Sequence, residues 1–172
     1  MVIINQLKEL TMKKIKYIFL GLMFGSLTLL TSCLKSGLED LPVYTDCDIT
    51  NIYFEYRYKD STSLWIDGSP IVKYVTLVVT KTINTVANTV TVSLVVPAAS
   101  GSFTVTERAK VALTNLVCSV NLSTAAKIEP IEGAPILGMP GDFSAPRKYL
   151  VTAADGVTTK TWTITVTSLN KP

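Results

Sequence analysis

The chain has 172 residues, with 16 Lys+Arg, 13 Asp+Glu, no His and a formal net charge of +3, enough for one ordinary domain and a targeting segment. Without His there is no Ser-His-Asp or Cys-His nucleophile, no His general base and no His-ligated zinc. The positive surplus lies wholly before Cys33: setting aside Lys8, Lys13, Lys14, Lys16 and Glu9 leaves twelve charges of each sign, so the chain has no basic stripe to meet nucleic-acid phosphates and that partner class is excluded.

Residues 1–32 read as a signal peptide. Lys13, Lys14 and Lys16 precede a nearly continuous apolar run from Tyr17 to Leu30, shorter than a typical spanning helix. Met12-Lys13-Lys14 is the expected start, with residues 1–11 an upstream extension. The run ends in Leu30-Thr31-Ser32-Cys33, apolar-small-small-Cys, the pattern of a lipobox. Cys33 is therefore the expected lipidation site, and the membrane a partner through that anchor. Residues 33–45 form the tether. Within it Lys35, Glu39 and Asp40 resemble a surface-export signal of Bacteroidota-type lipoproteins, although the acidic pair comes late. A plain solvated tether is the other reading.

Residues 46–168 are expected to form an all-β domain, because β-branched Thr and Val dominate and helical patterns are missing. In the first strand Ile52, Phe54, Tyr56 and Tyr58 share one face, and Tyr53, Glu55, Arg57 and Lys59 the other. Asp67-Gly68-Ser69-Pro70 is a turn. Ile71 to Lys81, apolar on both faces, reads as a central strand. Asn88 to Val96 places Val90, Val92, Leu94 and Val96 inward and ends at Pro97, which has no N–H to donate. Val111 to Leu122 follows, with Leu116, Cys118, Val120 and Leu122 in phase, and then a short strand at Ala126 to Ile128. Glu129 to Pro146, with four Pro and three Gly, reads as a long crossing loop. Tyr149, Val151 and Ala153 then lead through Asp155-Gly156 to Trp162, Ile164 and Val166, a hairpin with Thr161, Thr163, Thr165 and Thr167 outward. Seven strands in this span suit an antiparallel, immunoglobulin-like sandwich.

Ala126-Lys127-Ile128-Glu129-Pro130, Gly141-Asp142-Phe143-Ser144, Tyr149 to Gly156 and Trp162-Thr163-Ile164-Thr165-Val166 resemble the C-terminal half of immunoglobulin-like, domain-of-unknown-function lipoproteins of Bacteroidota-type bacteria. The resemblance is strongest over residues 123–166. It implies an outer-membrane, cell-surface accessory role near glycan-acquisition systems, and it brings no catalytic residues and no cofactor.

Trp65, in a polar connection after an aromatic-rich strand, is a candidate stacking platform for a sugar ring together with Tyr53, Tyr56 or Tyr58. The favoured reading is instead that Trp65 covers one end of the core, and Trp162 is assigned to the core outright. Asp46 and Asp48 fall far short of a calcium ligand set, so no metal is expected. Asp142 and Asp155 are turn residues. Nothing places two carboxylates in one cleft, as glycoside hydrolysis needs, so a small hydrolase ranks below a non-enzymatic binding module. The partner is a glycan or another outer-membrane protein, the latter met by an adhesin-like subunit through strand addition. Cys47 and Cys118 are disulfide candidates in an oxidising compartment. Pairing requires a bulge near Thr50-Asn51 to turn Cys47 inward, and Cα atoms within about 7 Å. A bridge would close about 70 residues and add about 2–4 kcal/mol. Two separate small thiols are the favoured alternative.

Overall fold

The computed structural model describes residues 43–172. The signal peptide, the lipidation site at Cys33 and the export segment around Lys35, Glu39 and Asp40 lie outside the described residues. Among the described residues no helix is long and apolar enough to cross a membrane.

The described residues form nine strands: β1 (Ile49–Leu64), β2 (Pro70–Thr76), β3 (Val78–Asn84), β4 (Thr89–Val95), β5 (Leu116–Leu122), β6 (Lys127–Ile131), β7 (Pro140–Gly141), β8 (Arg147–Thr152) and β9 (Thr159–Asn170). They build a four-stranded sheet, β2-β1-β5-β7, and a five-stranded sheet, β3-β4-β9-β8-β6. The all-β sandwich expected from the alternation is present, with nine strands rather than seven. It is mixed rather than wholly antiparallel, because β4 and β9 run parallel in the middle of the second sheet.

The inner faces supply the core. Phe54 meets Phe143 edge-on at 5.3 Å between ring centroids, and Trp162, Tyr149, Ile49, Ile52 and Leu94 are fully buried with them. The predicted inward set of β4, Val90, Val92, Leu94 and Val96, is buried throughout. In β1 the register slips between Ile49 and Asn51. This is the bulge needed to reconcile the parity of Ile49 and Ile52, both of which are buried along with Cys47.

Ile71 to Lys81 is not one central strand. It splits at Leu77, whose N–H donates to the Phe54 carbonyl at 2.9 Å. The two halves become an edge strand of each sheet, β2 in one and β3 in the other. An apolar run that passes from sheet to sheet looks two-faced in sequence because the buried side changes at the crossing. The expected strand from Val111 starts only at Leu116, after a short helix α1 (Val105–Lys110) and a 3₁₀ turn (Leu113–Asn115). Thr104 caps α1, its side chain accepting from the Glu107 N–H at 3.1 Å.

The Glu129 to Pro146 loop carries the end of β6 and all of β7. It is held across the sheets by Gly138 N–H to Cys118 O (2.8 Å) and Phe143 N–H to Leu113 O (2.7 Å), and by Tyr149 Oη to Pro135 O (2.9 Å). Gly141 is required here, since a Cβ at that position would lie 2.2 Å from the Pro135 Cβ. Between β8 and β9, Asp155 Oδ1 accepts from the N–H of Val157 and Thr158, and Gly156 takes φ +71°. Asp142 likewise accepts from the Ser144 N–H at 2.8 Å.

Candidate functional site: the outer face of the first sheet

On β1 the odd residues from Asn51 to Lys59 point away from the core. The register sets Glu55 beside Thr76, Arg57 beside Tyr74 and Lys59 beside Val72 on β2, and Tyr53 beside Ser119 and Glu55 beside Val117 on β5. Tyr53, Glu55, Tyr74, Thr76, Val117 and Ser119 converge on a groove of about 270 Å³. That is slightly smaller than an enclosing small-molecule pocket of about 300–1,000 Å³, and suits a ligand lying along the sheet. Its floor is apolar: Val117 is 1% exposed although it belongs to the outer face.

Tyr53 (44% exposed) and Tyr74 (65%) are the aromatic walls. Four residues along β1 and one strand across separate their positions, about 14 Å on strand geometry. Tyr53 is fixed from behind. Asn51 Nδ2 donates to its hydroxyl at 2.6 Å, and Lys81 Nζ stands 5.7 Å from its ring centroid. Lys81 also donates to Asn51 Oδ1. Next to Tyr74, Arg57 holds Glu55 in place. Its Nε and Nη2 reach Glu55 Oε1, both at 2.7 Å, and its Nη1 donates to Gly138 O at 2.9 Å.

The predicted aromatic set is thus divided. Tyr53 is exposed in the groove. Tyr58 is not available: it is buried, stacked on Tyr56 at 6.3 Å, tilted against Phe103, and bonded through its hydroxyl to Ser102 Oγ at 3.1 Å. Between Ile52 and Tyr58 the even-numbered residues of β1 face the core, so Tyr58 and Tyr53 lie on opposite sides of the sheet. Tyr56 is buried too, its hydroxyl donating to Glu107 Oε1 at 2.9 Å. Burial, followed by that bonded carboxylate, pushes the Tyr56 phenol up to about 12.

Trp65 does not cover the core. It is 61% exposed in the β1–β2 turn between Leu64 (57%) and Ile66 (fully exposed). The turn is fixed by Trp65 N–H to Ser69 O and by Gly68 N–H to Trp65 O, both 2.9 Å. A recess of about 520 Å³ adjoins it, lined by Trp65, Ile66, Asp67 and Ser69. Those residues all come from one turn, and among the described residues no second element lines the recess. Sequence reasoning missed Tyr74, which was hidden in the run read as two-faced. The alternation of Val72, Tyr74 and Thr76 against Ile71, Lys73 and Val75 was the available signal.

Cys47 and Cys118 are free and buried. Cys118 faces Phe54 in the register, whereas Cys47 lies two residues before Ile49, which faces Leu122. That offset is about 20 Å along the strand, far beyond bridging distance. The bulge turns Cys47 inward but at the wrong height. Burial raises both thiols above the ordinary range, with Lys160 opposing the effect at Cys47. Asp48 accepts an ion pair from Lys160 at 2.6 Å. Among the described residues no cluster of acidic or Cys side chains could hold a metal ion.

The model of the DUF5018-related family matches residues 49–165. The chain belongs to that family. A solved structure of a "putative secreted protein" from Bacteroides fragilis is 41% identical, with TM-score 0.68 over 75% of this chain and 100% of its own. A "putative glycoside hydrolase" from Bacteroides thetaiotaomicron matches at 22% identity and TM-score 0.35, covering 76% of this chain and 27% of its own. The search of curated proteins returns no match.

Proposed function

We propose that this DUF5018-related protein is a lipid-anchored, non-enzymatic binding module of the outer membrane, facing the cell surface and recognising a glycan along the outer face of its first sheet. The observation that carries this reading is the pair of exposed tyrosines, Tyr53 and Tyr74, set on either side of a groove built from three strands. Aromatic faces bind the C–H faces of sugar rings, and the hydroxyls of Thr76 and Ser119 and the carboxylate of Glu55 suit sugar hydroxyls. Among the described residues the groove is lined by one carboxylate, Glu55, whereas glycoside hydrolysis uses two. The lipobox at Cys33 and the 41% identical relative described as secreted support the location.

A glycan array probed with the wild-type chain should give discrete hits, each lost in Tyr53→Ala and Tyr74→Ala. An array without hits, or hits that survive both substitutions, removes the glycan reading. Labelling with a fatty-acid analogue should mark the wild type but not Cys33→Ala, and a variant that stays labelled and membrane-bound removes the anchor. A second reading, a protein-binding subunit, is favoured by the exposed Leu64-Trp65-Ile66 turn. It predicts loss of a partner in Trp65→Ala with array binding unchanged.

A further inference from the structure

We infer that the groove selects neutral, hydroxyl-rich glycans over acidic ones, with Glu55 as the selecting group; this rests on the glycan-binding reading above. Glu55 stands between the two tyrosine walls, beside Thr76 on one strand and Val117 on the other. Both contacts from Arg57 end on the same oxygen, Oε1. Among the described residues no hydrogen bond uses Oε2. An ionised carboxylate is acceptor-only, so its free oxygen calls for a donor from the ligand. A sugar hydroxyl provides one. A uronate or sulfate adds acceptors and a like charge, which the carboxylate repels.

The two nearby cations do not reverse this selection. All three guanidinium nitrogens of Arg57 are engaged, two with Glu55 and one with the Gly138 carbonyl. Lys81 is bonded to Asn51 and sits against Tyr53, outside the residues that line the groove. What the groove offers a ligand is two aromatic walls, the Thr76 and Ser119 hydroxyls and one anionic acceptor. A recognition site for acidic sugars has the opposite arrangement, with an uncommitted Arg or Lys facing the ligand.

The test is titration calorimetry of the full chain in detergent with neutral xylo-, manno- and galacto-oligosaccharides and with oligogalacturonates. The wild type should bind at least one neutral series about tenfold or more tightly than the uronates, and added salt should narrow that ratio by screening the repulsion. Glu55→Gln, which keeps the shape and adds an amide donor, should bring the ratio close to one with an unchanged circular dichroism spectrum. Uronate binding equal to or tighter than neutral binding overturns the inference while leaving glycan binding intact. A ratio unaltered in Glu55→Gln also overturns it. If neither series binds the wild type, the glycan reading falls and takes this inference with it.

Discussion

The indole of Trp162 joins the strand at the centre of the second sheet to the segment just ahead of β1, and replacing it with Phe separates two energetic contributions. Trp162 is fully buried, and its Nε1–H donates to the Cys47 carbonyl at 3.0 Å. Phe removes about 35–40 Å³ of side chain, which at about 24 cal/mol per Å³ of residual cavity costs about 1 kcal/mol. It also strips the donor from a buried carbonyl, which costs about 1–3 kcal/mol. The expected loss is therefore about 2–4 kcal/mol. Ile164→Val, at the next inward position of β9, removes volume alone and should cost about 0.5–1.5 kcal/mol. Urea titrations followed by far-ultraviolet circular dichroism measure both, with the slope unchanged. A Trp162→Phe loss no larger than that of Ile164→Val would refute the reasoning, because the carbonyl would then not depend on the indole.

Two further outcomes follow from the same core. Cys47 and Cys118 should resist a thiol reagent in the native protein, where Cys47 reacts first because Lys160 counteracts part of the burial effect there, and both should react fully in denaturant without reductant; denatured protein lacking two labels would contradict free thiols. Tyr56 has a folded pKa of about 12 against about 10 in the unfolded chain, so its contribution is complete below pH about 10 and declines by about 1.4 kcal/mol per pH unit until about 12; tyrosinate absorbance and urea melts at stepped pH should show an alkaline limb that is shallower in Tyr56→Phe.

The fold was legible where burial follows simple alternation. The inward sets of β1, β4, β8 and β9 could be read residue by residue, and even the bulge at Thr50-Asn51 could be placed, because two apolar residues of opposite parity need it. What alternation cannot show is the identity of the neighbouring strand. The parallel β4–β9 pair and the two-residue β7 depend on contacts far apart in sequence. The parity marking Tyr74 as outward holds within β2 but is masked when the run is read through the crossing at Leu77 as one strand. Helix α1 did leave a local sign, Thr104 followed three residues later by Glu107, which the surrounding β-branched residues obscured. Of the groove, only Tyr53 and the outward placement of Glu55 were therefore visible from β1 alone. Trp65 was misplaced because a turn fixed by its own backbone bonds can present an indole to solvent without support from the core.

The position of β9 has a consequence for how the chain matures. Among the described strands it comes last in the chain, yet it lies between β4 and β8 in the second sheet and supplies Trp162 and Ile164. While it is missing, that sheet is only two unconnected hairpins, β3-β4 and β6-β8, each marginal in water. Closure must wait for the twelve residues of β9 and then bring together positions about 75 apart, a non-local step of the kind that makes β-sandwiches fold in milliseconds to seconds. A nick or truncation within β9 therefore removes the strand that joins the two hairpins, and Trp162 and Ile164 with it, rather than fraying an end of the sheet.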